Sequence, residues 1–270
     1  MRNQRIASAI LWMAALAVSP ALLAQTAPPT SAGGNVLPSK DHVDLSGNWG
    51  YGIGVNYIPN GGDAKLGPPA DKVPYQPWAR DKFLSERPMT GPNATFNKTT
   101  DPQMLYCDPV GTPRVWTWPG KYRFLQTPEA VYIIYEFGMT WRVVWLNRPH
   151  SDDPDPTWWG ESVGKYEGND TLVIDTIGFN GKTWIDMAGR PQTEKGHLIE
   201  RIRRVDADTL EITLTIDDPG AYTQTWTYGP KTVKNLKTGF SKAQLICDVR
   251  GNQYFDDVVE KPTLPATPSK

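Results

Sequence analysis

The chain has 270 residues, of which 21% are charged and 11% aromatic, and a formal charge of −1. With no basic tract, this composition excludes the electrostatic footprint of a nucleic-acid binder. After the N-terminal apolar run, no second run is long enough to cross a bilayer.

Met1 to Ala24 carries Arg2 and Arg5, then an apolar stretch and small residues, which predicts a secretory signal peptide. Its removal takes the charge from −1 to about −3. No cysteine follows the stretch, so no lipid anchor is expected. Residues 25–40 are small, polar and Pro-rich and read as a disordered leader. Residues 41–260 are expected to form a single β-barrel domain, and 261–270 a flexible tail. That length suffices for one large all-β core. The expected location is the periplasm or the medium.

Asp44-Leu45-Ser46-Gly47-Asn48-Trp49 opens the folded part. Gly47 permits close backbone approach, the Trp49 indole suits the end of a barrel, and the strand reads on toward Tyr57. Residues 59–76 form a Gly/Pro-rich loop. Gln76 to Arg87 is the one helix candidate, with Pro77 in its first turn and Trp78, Phe83 and Leu84 as its buried stripe. Residues 88–113 read as an ordered, Pro-rich loop. Strands are predicted near Val115–Trp118 and Tyr122–Gln126.

Lys121 to Asn147 is rich in β-branched and aromatic residues. Its two runs meet at Gly138 and Met139, where a hairpin turn is predicted. Arg123, Glu136 and Arg142 interrupt the apolar pattern, and Glu136 and Arg142 flank the turn closely enough to pair across it. His150 to Pro156 is a charged loop. Trp158–Glu167 and Thr171–Thr176 form a hairpin about Gly168-Asn169-Asp170. Phe179–Thr193 is a loop anchored by Trp184. His197–Val205 and Thr209–Ile216 form another hairpin, and Tyr222–Tyr228 alternates as a last strand. Nine or ten antiparallel strands in meander order predict an all-β fold. A closed barrel with one short helix removes exposed edges, and a β-sandwich is the alternative.

The Gly-x-Trp opening resembles that of lipocalin-like barrels. Longer motifs resemble an uncharacterised family of secreted bacterial proteins: Asp-Leu-Ser-Gly-x-Trp at 44–49, and Cys107, Pro109, Gly111, Pro113 and Arg114. A third runs Gly160, Ser162, Gly164, Tyr166, Glu167, Gly168, Asp170, Thr171, Leu172, Val173 and Asp175. Asn169 is inserted in that third motif. Gly189-Arg190-Pro191-Gln192 stands where relatives carry a Gly-His-Pro-His-like segment. The resemblance implies the barrel and export, and no transferable chemistry.

The chain has three histidines, His42, His150 and His197. His150 and His197 stand beside acids and titrate near neutrality, which suits proton transfer. Gly160-Glu161-Ser162-Val163-Gly164 matches the letters of a hydrolase elbow without its strand-to-helix setting. Asp152, Asp153 and Asp155 read as a solvated acidic turn, and no metal ligand set is assigned. Cys107 and Cys247 either pair in an oxidising compartment or stay as buried thiols.

Catalytic candidates are His150, His197, Glu136 and Glu200. Substrate-binding candidates are Arg142, Arg201, Tyr135, Trp141, Trp145 and Trp226. Two functions fit. One is an exported barrel enzyme (isomerase, cyclase, hydratase or lyase) using general acid–base catalysis on a hydrophobic or aromatic small molecule. The other is a periplasmic carrier for such a ligand. No organic cofactor is expected, and a homodimer is compatible with either.

Overall fold

The computed structural model describes residues 42–50, 68–95, 99–118, 120–136, 140–237, 239–240 and 247–249. The chain divides into units 1–32 and 33–270, and every described residue lies in the second. The signal peptide, the leader, the Gly138–Met139 turn and the strand continuation toward Tyr57 fall outside the described residues.

Among the described residues, alternating apolar and polar positions give nine strands: β1 (Gly47–Gly50), β2 (Lys121–Gln126), β3 (Ala130–Tyr135), β4 (Trp141–Leu146), β5 (Glu161–Glu167), β6 (Thr171–Ile177), β7 (His197–Asp206), β8 (Thr209–Asp217) and β9 (Trp226–Asn235). They pair in chain order and close as a barrel, β1 lying against β9. The sequential order is as expected. The uniform antiparallel pairing is not, because β4 and β5 run parallel, with Trp145 opposite Val163 and Leu146 opposite Gly164. The reason is topological. Around a ring of nine strands direction cannot alternate at every seam, so at least one parallel pair is needed. Residues 147–160 supply the return path, as a parallel connection requires a dozen or more residues.

Inward positions follow the two-residue period. Phe124, Val131, Ile133, Val144, Leu172, Ile174, Ile202, Leu210 and Val233 are buried in one core. Full burial of such an aliphatic side chain contributes about 1.5–3 kcal/mol. Trp49 is buried in this core, and its indole N–H donates to Leu45 O at 2.8 Å.

Two departures concern the segments before β2. The expected strand Val115–Trp118 is instead a 3-10 turn, Arg114–Thr117, with all four residues buried. It sends Trp116 against the rings of Tyr122, Phe124 and Tyr135, at centroid distances of 4.9, 6.4 and 5.8 Å. The β-branched and aromatic composition is satisfied by burial, not by pairing. The helical content also exceeds one helix. Helix α1 (Pro77–Ser85) is joined by α2 (Pro102–Tyr106), which Asp101 caps by accepting from Gln103 N. In α1 the buried residues are Ala79 and Phe83, four apart on one face, while Trp78 and Leu84 are exposed. The last strand also starts later than expected, because Tyr222 makes only an isolated bridge to Tyr75.

Buried arginine–aspartate pairs fasten the loops. Arg114 pairs with Asp101, its guanidinium 4.9 Å from the Trp184 ring. Arg190 pairs with Asp186 and lies 5.9 Å from Phe83 and 5.8 Å from Trp226. Cys107 and Cys247 form a disulfide across 140 residues, which settles the two readings of the cysteines.

Candidate functional site

Chemistry-bearing side chains gather in two places, one inside the barrel and one on its outer wall. Inside, Arg142 shares the inward face of β4 with Val144 and Leu146, and Glu200 shares that of β7 with Leu198 and Ile202. Both are buried, Glu200 completely. Arg142 Nη1 donates to Glu200 Oε1 at 3.0 Å, and Nη2 donates to Oε2. Two isolated charges here would each cost several kcal/mol of desolvation, so each requires the other.

Further groups complete the pair. The Trp116 indole N–H donates to Glu200 Oε1, and Thr176 Oγ1 donates to Oε2 at 3.4 Å. Arg142 Nη1 also reaches Thr112 Oγ1 at 3.3 Å, and the Ser162 and Thr176 hydroxyls lie 3.1 Å apart. On the far side of Trp116, buried Lys231 of β9 donates to the Trp116 carbonyl and to Tyr122 Oη, the latter at 3.1 Å. A polar line thus runs Lys231, Trp116, Glu200, Arg142 through an aromatic interior.

Tyr135 lies beside Arg142 on neighbouring β3. Burial pushes its phenol well above the usual tyrosine range, against the opposing pull of the Arg142 charge, so it stays an O–H donor. Burial acts to lower Arg142, but Glu200 and Tyr135 outweigh it and hold the guanidinium charged.

The outer cluster is built on Asp175. Asp175 alternates outward from β6 between inward Ile174 and Thr176. His150 Nε2 and His197 Nε2 lie 3.1 and 2.8 Å from the same atom, Asp175 Oδ1. An ionised carboxylate only accepts, so these contacts assign an N–H to Nε2 of each ring. His150 Nδ1 also faces a carboxylate, Glu161 Oε1, at 3.1 Å. The His150 ring thus lies between two carboxylates, Glu161 and Asp175. Glu161 accepts from Ser151 N at 2.7 Å and from Ser151 Oγ. The Ser151 bonds, and then His150, hold the Glu161 carboxyl below the usual range against a smaller upward push from burial.

The site residues named from sequence are therefore divided. Arg142, Glu200 and Tyr135 meet inside the barrel, and His150 and His197 meet outside it. Glu136 joins neither group. It pairs with Lys121 at 3.0 Å, not with Arg142 across the turn, because Arg142 points inward. Arg201 is exposed and paired with Glu167 at 2.9 Å. Trp141 is 58% exposed on the outer wall. Trp145 is half-buried there under Arg148, whose guanidinium is 4.3 Å from its ring. Trp226 is buried against Tyr222, at the end served by Arg190. Ser162 is buried in the interior network.

Asp175, Trp116, Thr176 and Lys231 were not named as site residues from sequence. Asp175 left a trace as the one charge in Thr171–Ile177, and Lys231 left one two positions before inward Val233.

Fold and site define a closed, mixed nine-stranded β-barrel with a buried arginine–glutamate pair in its interior. No protein-family model matches the chain, and no curated protein matches it. Among the described residues, no group of three or more His, Cys, Asp or Glu is arranged to hold a metal ion, and no helix is long and apolar enough to cross a membrane.

Proposed function

We propose that the protein is an exported, lipocalin-like carrier that takes a hydrophobic or aromatic small molecule into its barrel. A closed barrel is in principle able to enclose such a ligand. The observation that carries the reading is the commitment of Glu200. Both of its oxygens are held by Arg142, with Trp116 and Thr176 adding further bonds, so the interior acid is a fixed anchor and not a free proton carrier. Trp116, Tyr122, Tyr135 and Trp159 offer aromatic surface around it. The resemblance to secreted bacterial proteins and the predicted signal peptide support export.

The test is native mass spectrometry of the protein recovered from the periplasm. A retained small-molecule adduct, released on denaturation, is expected. A bare chain that also takes up no aromatic probe would sink the reading.

A second reading is favoured by the outer cluster. His197, oriented by Asp175 and 40% exposed, has the geometry of a histidine prepared for proton transfer, and His150 and Glu161 extend the cluster. In that case the protein is an acid–base enzyme whose chemistry lies on the wall of β5, β6 and β7. Turnover of an aromatic substrate panel that disappears in Asp175→Asn supports it, and turnover indifferent to that change refutes it.

A further inference from the structure

Residues 147–157 form a strap that takes the chain from β4 toward β5 over the outer wall. Asn147 N donates to Gly164 O at 2.9 Å and Thr157 N to Gly178 O at 3.0 Å, which fixes its two ends. Between those ends every residue is exposed except His150 and Pro154. Pro154 rests beside Gly178, and His150 lies against Glu161 of β5 and Asp175 of β6. Ser151 adds two bonds to Glu161, from its N–H at 2.7 Å and from its hydroxyl. The middle of the strap is thus held by a small polar group centred on one imidazole.

That imidazole faces a carboxylate oxygen with each nitrogen, Nδ1 with Glu161 Oε1 and Nε2 with Asp175 Oδ1, both at 3.1 Å. A carboxylate only accepts, and a neutral imidazole carries a single N–H. The neutral ring therefore bonds one acid and turns a lone pair toward the other. The imidazolium donates to both, and each bond gains charge attraction. Histidine is the side chain that changes between these forms near neutrality. The other titratable and charged groups nearby are His197 of β7, Asp217 opposite it on β8, and Arg148, Asp152 and Asp153 on the strap. His197 reaches Asp175 Oδ1 through Nε2 at 2.8 Å, a contact that its neutral form can make. Arg148 lies over the Trp145 ring, and the three aspartates named with it are exposed to solvent.

We propose that His150 is a proton-operated latch, which holds the strap against β5 and β6 when it carries two N–H groups and releases it when it loses one. The hold is strongest while His150 is charged and both acids are ionised. It weakens as pH rises through the histidine range, and again in acid, where the carboxylates take up protons. The ends of the strap stay bonded to the sheet, so only its middle lifts. With the strap released, Asp175 Oδ1 serves His197 alone, and the latch thereby sets the state of the outer pair. The device needs neither the carrier nor the enzyme reading.

The full-length mature protein, isotope-labelled, is followed by NMR from about pH 5 to pH 8, reading the imidazole nitrogens and the exchange of the Ser151 amide. Exchange is corrected for the intrinsic effect of pH. His150, assigned by the signal lost in His150→Gln, is expected to hold both N–H groups at the lower end. Ser151 exchange is expected to rise several-fold over the range in which that ring loses one. His150→Gln should exchange fast throughout, since its side chain carries no charge to gain. His197→Gln should keep the rise, which separates a latch at His150 from a general loosening of the wall. Ser151 protection that stays level while His150 titrates would overturn the latch. A His150 ring that is neutral over the whole range would do the same, as would a wild-type response in His150→Gln. The wild-type titration needs no variant, so it decides the matter even where a variant fails to fold.

Discussion

Arg142 and Glu200 pair across the interior of the barrel, Nη1 lying 3.0 Å from Oε1, although β5 and β6 separate their strands in the sheet. Glu200 lies between inward Leu198 and Ile202 on β7, and Arg142 precedes inward Val144 and Leu146 on β4. Neither has an alternative way to keep its charge out of an apolar core.

Replacing one member is therefore expected to be far worse than replacing both. Arg142→Met or Glu200→Leu alone should cost about 3–5 kcal/mol, because the surviving charge is left buried and unpaired. The double variant should recover most of that loss. Urea unfolding midpoints of the four proteins decide it, and simple addition of the two single losses would contradict the pairing.

Gly111 holds the chain where it turns toward the buried 3-10 segment. Its φ is +70°, and an added Cβ would come 2.6 Å from the Trp158 carbonyl oxygen. Gly111→Ala meets both an unfavourable backbone region and a backbone atom that has little room to retreat. A loss of about 1–3 kcal/mol is expected. An unchanged melting temperature would show that the turn is not constrained in this way.

The Cys107–Cys247 bridge closes a separation of 140 residues, so it removes much freedom from the unfolded chain. Reduction, or the double change to serine, should lower stability by about 2–5 kcal/mol. Denaturation curves with and without reductant, on the same preparation, measure it. Coincident curves would mean that the bridge adds nothing.

Glu161 gives a pH dependence of known sign. Ser151 and His150 favour its charged form, so its folded-state pKa lies below the unfolded one. Its contribution is present above the unfolded pKa and is lost as pH falls through the folded value. Wild type should therefore exceed Glu161→Gln in melting temperature at pH 7 by more than it does in acid below both values. A constant difference over the whole interval would contradict the Ser151–Glu161–His150 arrangement.

The barrel was legible because most of it is written in local pattern. The alternation in Lys121–Asn147, the Gly168-Asn169-Asp170 turn and the His197–Val205/Thr209–Ile216 hairpin each follow from residues close in sequence. The parallel seam was not legible, since it depends on closing the whole ring. Val115–Trp118 misled because a buried aromatic run suits a strand and an interior plug equally well. Within the site, the shared parity of Arg142 with Val144 and Leu146 was readable, and so was that of Glu200 with Leu198 and Ile202.

The sequence by itself determined the alternating strands, the turns between most of them, and which side chains share a face. These rest on backbone sterics and on a two-residue period that needs no distant contact. Only the tertiary structure decided which face is inside, that Arg142 takes Glu200 and not Glu136, and that His150 and His197 share Asp175. Those partnerships join different strands through space. Their free energy comes from desolvation and charge, which depend on what surrounds a group once the barrel has closed.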